Sequence, residues 1–206
     1  VQTCALPICL RALQGRGPLE KLLKAVLKAR NAFAKGVPVL LKVAPDLTEE
    51  DKSDIAAVAL KVKLDGMIVS NTTIDRPVGL NSYEQDEKGG LSGPPLMVPS
   101  TKVLADFYRL TEGKIPLIGV GGIASGKDAY EKILNGASLV QLYSSLVYHG
   151  MELVSDIKED LERRLRKDGF TNVSDAVGAA FPEISGKNIP VDEARSARDA
   201  EAAKKD

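Results

Sequence analysis

Tryptophan is absent and histidine occurs once in these 206 residues, and the only cysteines are Cys4 and Cys9. Two thiols near one end exclude a disulfide framework, and no imidazole or further thiol is placed to complete a zinc site. Net charge is missing as well, because 28 Lys and Arg balance 28 Asp and Glu. That balance argues against a chain-wide attraction to nucleic acid or to an anionic membrane. No apolar run approaches the roughly 20 residues of a membrane-spanning helix, and the start has no basic stretch leading into a long apolar core. The chain itself is therefore expected neither to span a membrane nor to carry an address. No Ser/His/Asp set, carboxylate pair or metal cluster stands out. The lone His149 precedes Gly150 and reads as an exposed or partly packed loop residue.

What is present is an ordinary soluble composition, 44% hydrophobic, at a length that suits one domain or a large part of one. Val1–Cys9 has no period and no capping pattern. From Pro18 to Lys35 the leucines 19, 22, 23 and 27, with Val26, follow helical spacing opposite lysines. Val37–Val43 reads as a buried strand interrupted only by Lys42. Thr48 with Asp51 predicts a capping box that opens a helix over Glu49–Lys61. Asp65–Asn71 is the next strand, and the polar stretch Ile74–Lys88 reads as a long functional loop. A helix is expected over Pro99–Thr111 with Ser100 or Thr101 near its cap. Then follow a strand over Pro116–Val120, a helix over Gly126–Asn135 and a strand over Leu139–Tyr143. Met151–Lys167 is an amphipathic helix, and Ser174–Val177 a short helix with Ser174 as its N-cap. Phe181–Asp206, poor in large apolar residues, reads as a frayed helix or a disordered polar tail.

Alternating helices and strands in this order imply parallel strands joined by right-handed crossovers. The unusual polar and glycine residues fall at the C-terminal ends of the strands: Lys42, Asn71-Thr72, Gly121-Gly122 and Tyr143-Ser144. Ligand sites of open α/β sheets and of (β/α)8 barrels lie at that edge. Glycines after Ile115–Val120 let backbone N–H groups approach an anion, and a second strand end at Tyr143-Ser144 could share one phosphate with them. The same glycines also suit two tight turns with no ligand. Lys42 inside an apolar strand is expensive to bury without an anionic partner; it reads either as a cation facing developing negative charge or as a lysine snorkelling from the strand end. Asn71 and Thr72 offer donors and acceptors suited to a small planar amide or carboxylate, or form an ordinary turn.

Lys42-Val43-Ala44-Pro45-Asp46-Leu47, Ser70-Asn71-Thr72-Thr73, Gly89-Gly90-Leu91-Ser92-Gly93, Gly119-Val120-Gly121-Gly122 and Gly136–Ser144 together resemble dihydroorotate dehydrogenase, in order, from Leu10 to about Gly178. The Gly-Gly-Leu-Ser-Gly stretch, with Pro95-Leu96 and Ser100-Thr101 after it, is similar to the quinone-linked class. The resemblance implies a (β/α)8 barrel of the TIM type, of which this chain holds the C-terminal half as four βα units in residues 10–180. It implies FMN as cofactor, oxidation of dihydroorotate to orotate in pyrimidine synthesis, and ubiquinone as electron acceptor. Lys42 would lie beside the flavin ring and stabilise its reduced, anionic form. Ser70 stands where the family commonly has threonine near the flavin. Gly93, Gly122, Tyr143 and Ser144 would hold FMN, the last three around its phosphate, and Asn71 and Thr72 would bind orotate. The membrane contact and quinone entry of this class belong to the other half of the barrel, so a mitochondrial inner membrane, or the inner membrane of a bacterium, is inherited from the family.

Two departures qualify that resemblance. Only four strand units are present where a closed barrel has eight. The family's base serine and the following Asn-Thr-Pro-Gly are not found in Val1–Cys9, although Leu10-Arg11 matches what comes next. No catalytic residue is therefore assigned. A lone half-barrel is expected to expose strand edges and apolar faces, to be poorly stable or to self-associate, to retain FMN weakly or not at all, and to show no turnover. The competing expectations are another FMN-dependent barrel enzyme and a non-catalytic phosphate- or FMN-binding half-barrel.

Overall fold

The structure is a computed structural model, and it describes residues 15–187 apart from Ser82 and Asp86. The non-matching start and most of the expected polar tail lie outside the described residues. Helix α1 (Arg16–Phe33) leads to β1 (Leu40–Val43), α2 (Glu49–Val62) and β2 (Gly66–Val69). A single 3-10 turn, Pro94–Leu96, runs directly into α3 (Met97–Leu110). Then come β3 (Leu117–Val120), α4 (Gly126–Leu134), β4 (Ala137–Gln141), α5 (Ser144–His149), α6 (Leu153–Lys167), α7 (Val173–Ala176) and α8 (Pro182–Ser185). The strands form one parallel sheet in the order β1-β2-β3-β4. Sequential parallel pairing with a helix between neighbours is the repeating unit of a (β/α)8 barrel, here as four units.

The two faces of the sheet differ sharply. Val43, Met67, Val69, Leu117 and Ala137 point at the helices and are fully buried with Ile55, Leu104 and Phe107. The alternate residues form one register across the sheet, Lys42 with Ile68, Ile68 with Ile118 and Ile118 with Leu139. These face the concave side, the barrel interior, and Leu139 is 64% exposed there. A strand shows side chains to opposite faces at successive positions, so one strand carries a buried and an open row.

That geometry corrects the reading of Val37–Val43 as a buried strand, while both readings of Lys42 stay open. Lys42, on the open concave face, is exposed, as is Leu40, and among the described residues β1 is an outer strand that pairs only with β2. The apolar run over 37–43 packs chiefly through Val43.

Local signals explain most helix ends. The Thr48 hydroxyl accepts from Asp51 N at 3.1 Å, and the Asp51 carboxylate accepts from Thr48 N at 3.0 Å. This is the expected capping box, with the shorter aspartate in place of glutamate. Ser125 caps α4 by accepting from Asp128 N. Two expected caps are corrected. Ser100 and Thr101 lie inside α3 and are buried, because Pro94-Pro95 start the helical turn earlier. Asn172, not Ser174, caps α7, accepting from Asp175 N. Strand β4 begins at Ala137, directly after Gly136 at φ +105°, two residues before the expected start. The short helix α5 was not foreseen, since six residues hold too little of a helical period to register. His149 is the last residue of that helix and is exposed. Phe181 packs into the main core, tilted against Tyr108 at 5.8 Å and under the Arg109 guanidinium at 4.4 Å.

Candidate functional site

A cleft of about 580 Å³ opens at the C-terminal ends of the strands. That volume lies within the ordinary range of small-molecule and cofactor sites, roughly 300–1,000 Å³. Lys42, Ser70, Asn71, Thr72, Gly93, Gly122, Tyr143 and Ser144, the residues singled out from the sequence, all line it. They come from four strand ends and from the segment after the long loop, so only the parallel sheet brings them together.

Each wall of the cleft is fastened by backbone. Asn71 N donates to Val43 O at 2.7 Å and Ser70 N to Val120 O at 3.2 Å, which ties the end of β2 to both its neighbours. The peptide bond between Val69 and Ser70 is cis. Ser70 is buried, and its hydroxyl donates to Asn71 O at 2.8 Å. Thr73 and Leu91 exchange backbone hydrogen bonds of 3.1 and 2.7 Å, which close the neck of the long loop. The Thr73 hydroxyl also donates to the Asp46 carboxylate. Within the loop, the Arg76 guanidinium donates to the carbonyls of Gln85, Glu87 and Gly89. Gly90 then rests on Thr72, so closely that an added Cβ would lie 1.9 Å from the Thr72 hydroxyl oxygen.

The far end of the cleft is built from glycine and serine. Gly121 and Gly122 have φ of +111° and +76°, a region that glycine enters without a Cβ penalty. A Cβ on Gly122 would sit 2.5 Å from the backbone of Met97 at the start of α3. The Ser145 hydroxyl, buried, donates to Ile123 O at 2.5 Å and joins the β4 loop to the β3 loop. The hydroxyls of Ser92 and Ser144 lie 2.8 Å apart. Gly93, at φ +85°, is buried, and an added Cβ there would meet no atom within 4 Å. Tyr143 leans out at the rim, 63% exposed. Ser92 and Ser145 were not singled out from sequence. Ser92 stood within the Gly-Gly-Leu-Ser-Gly stretch and Ser145 beside Ser144, but their partners lie 52 and 22 residues away.

On the helix side of β3, directly behind this glycine turn, Lys132 is completely buried. Its ammonium donates to the Ser100 hydroxyl at 2.5 Å and to Met97 O at 3.4 Å. Burial lowers its pKa from 10.5 to about 7, against the weaker opposing pull of Glu131 and Asp128.

The residues present fit a phosphate-bearing cofactor. Positive-φ glycines sit where a Cβ would collide, hydroxyls gather at one end, and at the other Lys42 has no carboxylate partner among the described residues. No group of three His, Cys, Asp or Glu side chains among the described residues is arranged to hold a metal ion. Among the described residues, no helix is long and apolar enough to cross a membrane.

The family model for dihydroorotate dehydrogenase matches residues 5–165. A curated relative from Rhodospirillum rubrum, dihydroorotate dehydrogenase (quinone), is 56% identical over 186 residues, covering 88% of this chain and 51% of the relative. The mitochondrial dihydroorotate dehydrogenase (quinone) of Mus musculus is 52% identical over 172 residues, covering 82% of this chain and 43% of the relative. Among solved structures, ligand-free DHODH from Eimeria tenella superposes with a TM-score of 0.79 at 41% identity, covering 84% of this chain and 52% of that one. The chain spans about half the length of the curated relatives it matches.

Proposed function

The chain belongs to the dihydroorotate dehydrogenase family, and from that premise we propose that its cleft is the FMN-phosphate and orotate side of a quinone-linked dihydroorotate dehydrogenase acting in pyrimidine synthesis. The observation that carries the reading is the convergence of Lys42, Asn71-Thr72, Gly122 and Tyr143-Ser144 on one cleft from four successive strand ends. Bound FMN supplies the two-electron oxidation of dihydroorotate to orotate.

The chain's own residues bind and orient. Gly93, Gly122, Tyr143 and Ser144 receive FMN, with the glycine turn and the serines around its phosphate. Lys42 places a positive charge at the opposite end, where negative charge develops during oxidation. Asn71 and Thr72 present amide and hydroxyl groups to the carboxylate and ring amides of orotate. Ser70 acts through the backbone of Asn71, since its hydroxyl is committed there. No base for the substrate's proton is assigned among the described residues. Quinone and membrane contact would fall to the remainder of the barrel, and on this reading the cellular site is a mitochondrial or bacterial inner membrane; among the relatives, those of Mus musculus and Oryza sativa are mitochondrial.

A second reading, a half-barrel that binds flavin without turning over substrate, is favoured by the missing serine pattern in Val1–Cys9. Titration of the full chain with FMN, then with orotate, tests the first. Weak but saturable quenching of flavin fluorescence, with a spectral shift on adding orotate, is expected of this half-barrel. A chain that binds neither flavin nor orotate overturns the reading, and flavin binding without any response to orotate favours the second.

A further inference from the structure

A fully buried lysine with no carboxylate in hydrogen-bond contact is costly, because an ammonium taken from water needs compensation. Lys132 is that residue, and its surroundings are not arranged for stability alone. Its side chain rises along β3, where an added Cβ on Gly119 would meet Lys132 Cβ at 3.1 Å and Cδ at 3.3 Å. Glycine at position 119 therefore makes room for the lysine stem. The ammonium ends on Ser100, whose hydroxyl lies 3.2 Å from Gly121 O and 3.2 Å from Met97 O. Gly121 packs so close to this serine that a Cβ would lie 2.8 Å from its hydroxyl oxygen. A continuous polar link thus runs from the buried cation to the back of the glycine turn that lines the cleft.

We infer that Lys132 is a positioning residue for the phosphate end of the cleft. Acting through Ser100, it fixes the Gly121-Gly122 turn and supplies the buried positive charge that makes the turn prefer a phosphorylated flavin to an unphosphorylated one. This rests on the reading of the cleft as a flavin site. The reasoning is electrostatic. Met97 O and the Ser100 hydroxyl are neutral acceptors, so the ammonium's charge is left largely uncancelled at short range, in a medium that screens it less than water does. A phosphate held by the turn on the other side of β3 receives that field. The lowered pKa of Lys132 accords with a cation that still lacks its counter-charge.

The test compares FMN with riboflavin, which differ only in the phosphate, by fluorescence titration of the full chain and of two variants about one pH unit below the Lys132 pKa of about 7, where the ammonium is charged. The wild-type chain is expected to bind FMN at least about tenfold more tightly than riboflavin. Lys132→Met, which keeps the chain length and removes the charge, is expected to lose about tenfold of that preference with riboflavin affinity unchanged. Ser100→Ala, which keeps the charge and cuts the link, is expected to lose part of the preference. Circular dichroism establishes that each variant is folded, and Ser100→Ala decides the matter if Lys132→Met is not. Equal weakening of both flavins, the signature of a merely structural role, overturns the inference, as does an unchanged FMN-to-riboflavin ratio. A wild-type chain that binds riboflavin as well as FMN overturns the assignment of the phosphate end itself.

Discussion

Ser92 and Ser144 bring their hydroxyl oxygens to 2.8 Å at the far end of the cleft. One belongs to the Gly-Gly-Leu-Ser-Gly segment after the long loop and the other opens α5 after β4. Their contact joins the loop that covers Thr72 to the strand end proposed to hold phosphate. Ser144→Ala removes the contact and one hydroxyl at the phosphate end. FMN affinity is expected to fall about 3- to 10-fold, as for loss of one hydrogen bond to a charged group, with the melting temperature nearly unchanged. Fluorescence titration beside a thermal melt checks both parts.

Gly122 tests the turn directly. Alanine there must hold φ near +76° and place its Cβ 2.5 Å from the Met97 backbone. The dihedral alone costs about 1–3 kcal/mol, and the collision adds to it by pushing α3 away from β3. Gly122→Ala is therefore expected to lower both the melting temperature and FMN affinity. An alanine variant that melts and binds as the wild type does would mean that the turn has another conformation in solution.

Lys132 links stability to pH. Its folded pKa of about 7 lies below the 10.5 of an ordinary lysine, because burial disfavours the charged form. Between these values the unfolded chain binds more protons, so stability rises as pH is raised through that window. Below about pH 7 the full cost of the buried charge is present in the folded chain. Relative to Lys132→Met, the wild type should gain on the order of 2 kcal/mol between pH 7 and 9, at about 1.4 kcal/mol per pH unit. Urea melts of both chains across that range check the sign. A wild-type chain that loses stability relative to the variant as pH rises contradicts the assignment.

The open face of the sheet predicts association. Among the described residues β1 pairs only with β2 and β4 only with β3, so each outer strand keeps an unpaired edge there. Leu139, Tyr143, Val147 and Tyr148 add exposed apolar surface beside that edge. Sedimentation of the full chain is expected to show dimers or larger species that grow with concentration. A monodisperse monomer that unfolds cooperatively would rule this out.

Much of the architecture was legible in the residues because it rests on local rules. Helical spacing of Leu19, Leu23 and Val26, the Thr48–Asp51 box and the Gly136 turn each act within a few residues of chain. The alternation of helix and strand then leaves a parallel sheet as the way to bury both kinds of apolar face. For the same reason the sequence marked the strand ends as the place of the site, and the named residues do line one cleft.

The tertiary structure decided what depends on partners distant in the chain. Lys42 is exposed because it lies on the open concave face of an outer strand, a fact about how strands pair and not about its apolar neighbours. Ser100 lies buried in α3 because Pro94-Pro95 begin the turn and Lys132, 32 residues on, reaches its hydroxyl. Nothing local in the sequence marks Lys132 apart from the other lysines. Only the small volume of Gly119 beneath it and the close approach of Gly121 to Ser100 make it a buried cation behind the cleft. Chain-local chemistry determined the elements and the edge where ligands bind; packing between elements determined which charges are buried and which face the ligand.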